Sequence, residues 1–233
     1  MSLFKPINFR ELPLRLGSRI PGLQIYCAPA LTASRRGFYT VGELVRKSQR
    51  EGFTVISPTT NLISRGVVIG KGTIIHPNVT IQRGSGKIII GRNNQLFPNL
   101  TIDLKDQASV RIGNNNELGH GGGGVISTFI GGSKKDGDIV IGSETRLTRG
   151  FEVLGGSKIG SGSQILGAAI VSQSSLGEGR SYKFPRDEQN PQGAVVKGPC
   201  RVYRSELKPG SVVHPNINLN GSVVERNREI KPA

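Results

Sequence analysis

An all-β solenoid of short parallel strands is the fold class the sequence predicts, and three observations predict it. Aliphatic residues recur every six positions, as at Ile69, Ile75 and Ile81 in "VVIGKGTIIHPNVTIQ". Neither a 3.6-residue helix nor a two-residue strand alternation gives that period. Glycine is abundant at 33 of 233 residues, whereas aromatics make up 5% and tryptophan is absent. Many short strands and tight corners around a narrow interior account for both compositions.

The series continues through Ile90, Leu96 and Ile102, then Ile112 and Leu118, and runs unbroken from Ile141 through Leu147, Val153, Ile159 and Ile165 to Val171. Glycine directly follows Ile69, Ile90, Ile112, Ile141, Ile159 and Leu176. Each hexapeptide then supplies one flat strand and one corner, and three make a turn of about 18 residues stacked about 4.8 Å from the next. Glycine and asparagine tolerate left-handed backbone angles, so "GRNN", "GNNN" and "GSGS" read as corners.

Taken in order, residues 1–39 hold four of the thirteen prolines and no repeat. "TVGELVRKSQREG" predicts a short helix, with Thr40 and Glu43 as a capping box and Gly52 closing it. Val41, Leu44 and Val45 would pack on the open end of the coil, as solenoids require. Residues 1–52 form this irregular segment and capping helix, and 53–233 the solenoid. Two spacings stretch, to nine residues at "RGSG" and ten at "LKDQ". The glycine-rich 119–138 reads as an excursion loop that keeps one irregular hexapeptide at "VISTFI". The polar 180–193, "RSYKFPRDEQNPQG", reads as a second loop.

The pattern resembles the hexapeptide-repeat acyltransferase superfamily, over residues 55–179 and more loosely 193–224. "LVRKSQREGFTVISPTTNLISRGVVIGKGTIIHPNVTIQ" is similar to the start of the acetyltransferase half of the bacterial bifunctional N-acetylglucosamine-1-phosphate uridyltransferase. Ser57-Pro58 occupies its Asp-Pro step, and "GTIIHPNVTI" matches its first coil. The resemblance implies a left-handed parallel β-helix. It also implies an acyl-coenzyme A-dependent O- or N-acyltransferase acting on a sugar or nucleotide sugar. Acetyl-CoA or another acyl-CoA is then a co-substrate, and no cofactor is tightly bound. Members usually form homotrimers with donor sites between the prisms.

Acyltransferases of this fold commonly use a histidine near such a loop, which points to His120 as general base. Lys134, Lys135, Arg146 and Arg149 are the basic side chains nearest in sequence, and would hold donor phosphates beside it. His120 in an exposed loop without chemistry is the competing reading. His76 and His214 both stand in "HPN" and read as corner residues. The "L-R-P-G" and "G-N-F-V-E" stretches around the catalytic histidine of the uridyltransferase's acetyltransferase half are absent here, and nothing resembles its uridyltransferase half. The segment after the last coil, "ERNREIKPA", offers little to cover a donor. A trimeric scaffold that kept the coil without the chemistry is therefore the alternative function.

The net charge of +15 favours anionic partners: acyl-CoA, a nucleotide sugar or an acidic protein. The first 52 residues carry +6 and residues 180–233 carry +5. Nucleic acid is disfavoured because aromatics for base stacking are sparse. Cys27 and Cys200 make neither a disulfide framework nor a metal spacing, and three scattered histidines do not make a zinc site. No signal peptide or membrane-spanning run is read, so a cytoplasmic location is expected.

Overall fold

The computed structural model describes residues 37–105, 107–129, 137–185 and 187–232. Most of the irregular segment 1–39, with Cys27, lies outside them. Within them the fold is the parallel β-helix expected, three parallel sheets visited in turn. Its first coil is β1 (Thr54–Val55), β2 (Leu62–Ile63) and β3 (Val68–Ile69), and the strands run on in chain order to β25 (Glu229–Ile230). Every third strand joins one of three parallel sheets: sheet I starts at β1, sheet II at β2 and sheet III at β3.

Register shows what the six-residue period does. In sheet I, Ile75 pairs with Leu96, Leu96 with Leu118, Leu118 with Leu147, and Leu147 with Ile165. All five side chains are fully buried. Sheets II and III repeat the arrangement, with Ile81, Ile102, Ile126 and Val153 in one column and Ile69, Ile90, Ile112 and Ile141 in the other. Alternate residues face outward, so each strand buries one side chain in two. At about 25 cal/mol per Å², such columns dominate the stabilisation of so narrow a prism.

A polar ladder runs up the III–I edge, two residues before each sheet I aliphatic. Asn94 N–H donates to Thr73 Oγ1 at 3.3 Å, Asn116 N–H to Asn94 Oδ1 at 2.9 Å, and Thr145 N–H to Asn116 Oδ1 at 2.7 Å. Asn94 Nδ2 donates in turn to Gly113 O at 2.9 Å. All four side chains are buried, so these bonds satisfy groups that would otherwise be costly to bury. Asn116 Nδ2 is buried without a partner.

The helix α1 (Val41–Glu51) forms as read, with both halves of the capping box present and Gly52 left-handed at φ 76°. Its buried face differs from the sequence reading. Leu44 is buried, but Val41 is 42% exposed and Val45 only half-buried. Lys47 is buried in their place, its stem lying on the coil and its Nζ bonded to Glu51 Oε2 at 2.6 Å.

The 119–138 excursion is narrower than the sequence reading had it. Strand β10 (Glu117–His120) extends into the glycine run, and β11 (Gly124–Ser127) returns to sheet II with Ile126 inward. Among the described residues the coil continues to Thr128 and resumes at β12 (Ile139–Ile141). In the second to fourth coils most of the surplus residues therefore fall at one edge, apart from two at the I–II corner between Leu118 and Ile126, where the spacing is eight. From the inward residue of sheet II to that of sheet III, the spacing is nine at Ile81–Ile90, ten at Ile102–Ile112 and fifteen at Ile126–Ile141. At every other II–III corner it is five or six. The 180–193 loop sits instead at the III–I edge, between β18 (Ser175–Leu176) and β19 (Val195–Lys197).

Candidate active site

His120 ends β10 rather than lying in a free loop. Its position follows from a bulge at Gly119, whose φ of 92° suits glycine. The bulge shifts register, so that Leu118 pairs with Leu147 but His120 pairs with Thr148. The imidazole is thereby carried to the I–II edge and exposed.

A row of rings occupies that edge, each placed just past an inward aliphatic of sheet I. His76 follows Ile75 and stacks on Phe97 at 5.0 Å with planes 14° apart. Phe97 follows Leu96 and meets His120 edge-on at 4.9 Å. Such contacts are worth about 0.5–1.5 kcal/mol beyond area burial. His76, read as a corner residue, is thus tied through Phe97 to His120. His214 stands farther along the same edge, its Nε2 3.4 Å from Glu229 Oε2.

The corner after His120 is built by close approach. A Cβ on Gly123 would stand 2.5 Å from Asn99 O, and its φ is 70°. A Cβ on Gly124 would stand 2.2 Å from Phe151 Cε1, so that glycine makes room for the one ring packed inside the prism here. The next coil then closes on His120. Arg149 N–H donates to His120 O at 3.1 Å, with Arg149 itself at φ 58°.

The predicted cations have different fates. Arg149 lies beside His120, and among the described residues its guanidinium is in no ion pair. Arg146, on β13 (Arg146–Thr148), faces outward on sheet I with its Nε 3.3 Å from Glu117 Oε2. The Tyr182 ring, brought over by the 180–193 loop, lies 5.6 Å from the Arg146 guanidinium carbon. Burial, with Glu117 nearby, pushes the Tyr182 phenol up to about 12, so it stays protonated. Arg146 is therefore held by a carboxylate and a ring, and Arg149 is the cation left facing solvent beside His120. Lys134 and Lys135 lie outside the described residues.

Phe97, Glu117 and Tyr182 were missed by sequence reading. Phe97 was accessible: it holds the same position after Leu96 that His76 holds after Ile75. Tyr182 was not, because no period places a residue of a 14-residue loop. Cys200 is buried in the prism and its thiol is pushed up to about 11 by burial, away from nucleophilic use. Among the described residues, no group of three His, Cys, Asp or Glu could hold a metal, and no helix is long and apolar enough to cross a membrane.

No family model matches the chain. Over 196 residues it is 33% identical to a bifunctional protein GlmU of Carboxydothermus hydrogenoformans, an alignment covering 77% of this chain and 39% of that relative. This likeness supports the hexapeptide-repeat acyltransferase superfamily. A second relative of the same name, from Geotalea uraniireducens, is 35% identical over 119 residues, covering 51% of this chain and 23% of that one. The chain thus spans about two fifths or less of these two curated relatives. Among solved structures, the UDP-N-acetylglucosamine O-acyltransferase (LpxA) of Moraxella catarrhalis RH4 aligns at a TM-score of 0.28 and 16% identity. That alignment covers 73% of this chain and 68% of the other, and is too loose to argue from.

Proposed function

We propose that the protein is an acyl-CoA-dependent O- or N-acyltransferase with a sugar or nucleotide sugar as acceptor. The observation that carries this reading is the meeting of an exposed His120 with an uncommitted Arg149 at one corner of the coil. His120 accepts the proton of the acceptor hydroxyl or amine as its oxygen or nitrogen attacks the thioester carbonyl. The carbon–sulfur bond then breaks, coenzyme A leaves as the thiolate, and the proton on His120 is available to it. Arg149 supplies a charge for a donor or acceptor phosphate, while the Arg146–Glu117–Tyr182 cluster fixes the adjoining face of sheet I. The GlmU relatives support an acyl-transfer reading through the segment they share with this chain. We further propose a cytoplasmic homotrimer, in which the His120 edge faces a neighbouring prism.

A second reading, the non-catalytic scaffold, is favoured by one observation. Among the described residues the His120 ring has no hydrogen-bond partner to orient it, only the edge contact with Phe97. His120→Ala separates the two readings. In the enzyme it lowers kcat by about 10²–10⁴-fold, with the melting temperature lowered by no more than the loss of the Phe97 edge contact. A wild-type protein that is not stabilised by millimolar acetyl-CoA and transfers no acetyl group leaves the scaffold standing. A monomer in sedimentation at micromolar concentration removes the trimer and any site shared between prisms.

A further inference from the structure

We propose that the II–III edge of the second and third coils is an anion-binding groove for the phosphoryl oxygens of a small ligand. It is separate from the His120 corner and does not rest on the role given to His120. In a solenoid, insertions gathered on one face often mark a binding face. Here three consecutive II–III corners are lengthened, to nine, ten and fifteen residues, and no other II–III corner is.

The first two insertions are packed lips. Gly84 N–H donates to Leu104 O at 3.1 Å, and Arg83 Nη1 to Gly86 O at 3.0 Å. Gly86 lies so close to the next insertion that a Cβ on it would stand 1.8 Å from Ala108 O. Between the lips and the outer face of sheet III lies a cleft of about 330 Å³, lined by Ser85, Lys87, Gln107, Ser109 and Arg111. That size falls at the lower end of small-ligand pockets, roughly 300–1,000 Å³.

The charge in the cleft is of one sign. Lys87, on β6 (Lys87–Ile90), and Arg111, on β9 (Ser109–Ile112), both point outward and are exposed. Register pairs Lys87 with Ser109 and Ile89 with Arg111, which makes the two cations diagonal neighbours, roughly 7–8 Å apart at the backbone. Among the described residues neither is in an ion pair, and no carboxylate lines the cleft. The nearby Asp138 carboxylate accepts the Ser109 N–H at its Oδ1, 2.7 Å away, and the two cations outnumber it. Two unpaired like charges on neighbouring strands do nothing for the empty fold. A phosphate between them accepts charge-assisted bonds from both, with the two serine hydroxyls and the Gln107 amide as neutral donors. The groove opens on sheet III, whereas His120 stands on the I–II edge, so sheet II lies between them.

The experiment is calorimetric titration of the full chain with inorganic pyrophosphate. Saturable binding is expected, weakened about tenfold or more in Lys87→Gln/Arg111→Gln, the loss of two charge-assisted contacts. The control Lys71→Gln/Lys158→Gln removes the same charge from exposed positions away from the cleft and should bind as wild type, as should His120→Ala. A cooperative thermal transition in each establishes that all variants fold. Competition names the source: displacement of pyrophosphate by coenzyme A identifies a coenzyme A phosphate, and no displacement identifies a separate phosphorylated metabolite. The proposal is overturned if wild type shows no saturable binding at millimolar pyrophosphate. It is equally overturned if the charge-matched control or His120→Ala loses as much affinity as the Lys87/Arg111 double variant.

Discussion

Replacing Gly124 by alanine adds one methyl group where the fold has no space. The new Cβ would lie 2.2 Å from Phe151 Cε1 and 2.4 Å from Cδ1, and Phe151 is fully buried. Neither partner can swing into solvent, so the strain enters the backbone of the corner or displaces the ring. Overpacking of this kind costs about 1–3 kcal/mol. At about 2–4 °C per kcal/mol for a chain of this size, the melting temperature falls by about 2–12 °C. Phe151→Ala alone costs about 3–5 kcal/mol through the cavity it leaves. The double variant is the informative one. With the ring gone, the methyl of Gly124→Ala meets nothing and partly fills the void, so the pair costs no more than Phe151→Ala alone. A double-mutant cycle by urea denaturation should therefore give a favourable coupling of about 1–3 kcal/mol. Strictly additive penalties, or a Gly124→Ala protein that melts with wild type, would refute the ring-on-glycine packing.

Two other expectations follow from the same geometry. Ile159→Asp places an unpaired carboxylate in the sheet III column and should cost several kcal/mol; an unchanged melting temperature would mean that Ile159 does not face the interior. Tyr182 should ionise late, near pH 12, when phenolate absorbance is followed with pH. Its folded pKa is raised to about 12, above the unfolded value near 10, so the stability it contributes is whole below about pH 10 and is lost as pH rises towards 12. Tyr182→Phe should remove that late step, and its persistence in the variant would falsify the burial of Tyr182 against sheet I.

The columns of the prism were legible because burial imposes the period directly: every sixth aliphatic from Ile141 to Val171 had to face inward. The capping box was legible because Thr40 and Glu43 satisfy each other's backbone groups locally. What local pattern could not show was the partner of a side chain on another coil. Val41 looked apolar enough to pack, yet the axial position of the helix buries the Lys47 stem in its place. Glycines 119–124 looked like a loop because their composition lacks side chains. They are a bulge and a corner that bring strands close together, which the Asn99 carbonyl and the ring of Phe151, on the coils either side, make necessary. His120 could be singled out by type and spacing, but its neighbours Phe97 and Arg149 come from the coils on either side.

The polar ladder has a consequence for where this chain can change length. From Thr73 to Thr145 the III–I edge holds its coils together through side chains that bond the next coil's main chain, and there each III–I step is six residues. An insertion at that edge would pull an amide from its mate inside the prism. Among the described residues the II–III edge carries no such rungs of asparagine, and in the same coils it absorbs all the surplus residues but the two between Leu118 and Ile126. Once the asparagines stop, the constraint lifts: the single long departure at the III–I edge, the twenty residues from Leu176 to Val196, comes only after Thr145. One edge of the prism thus behaves as a spine and another as a margin, and new loops can be written into the margin without unpicking the spine.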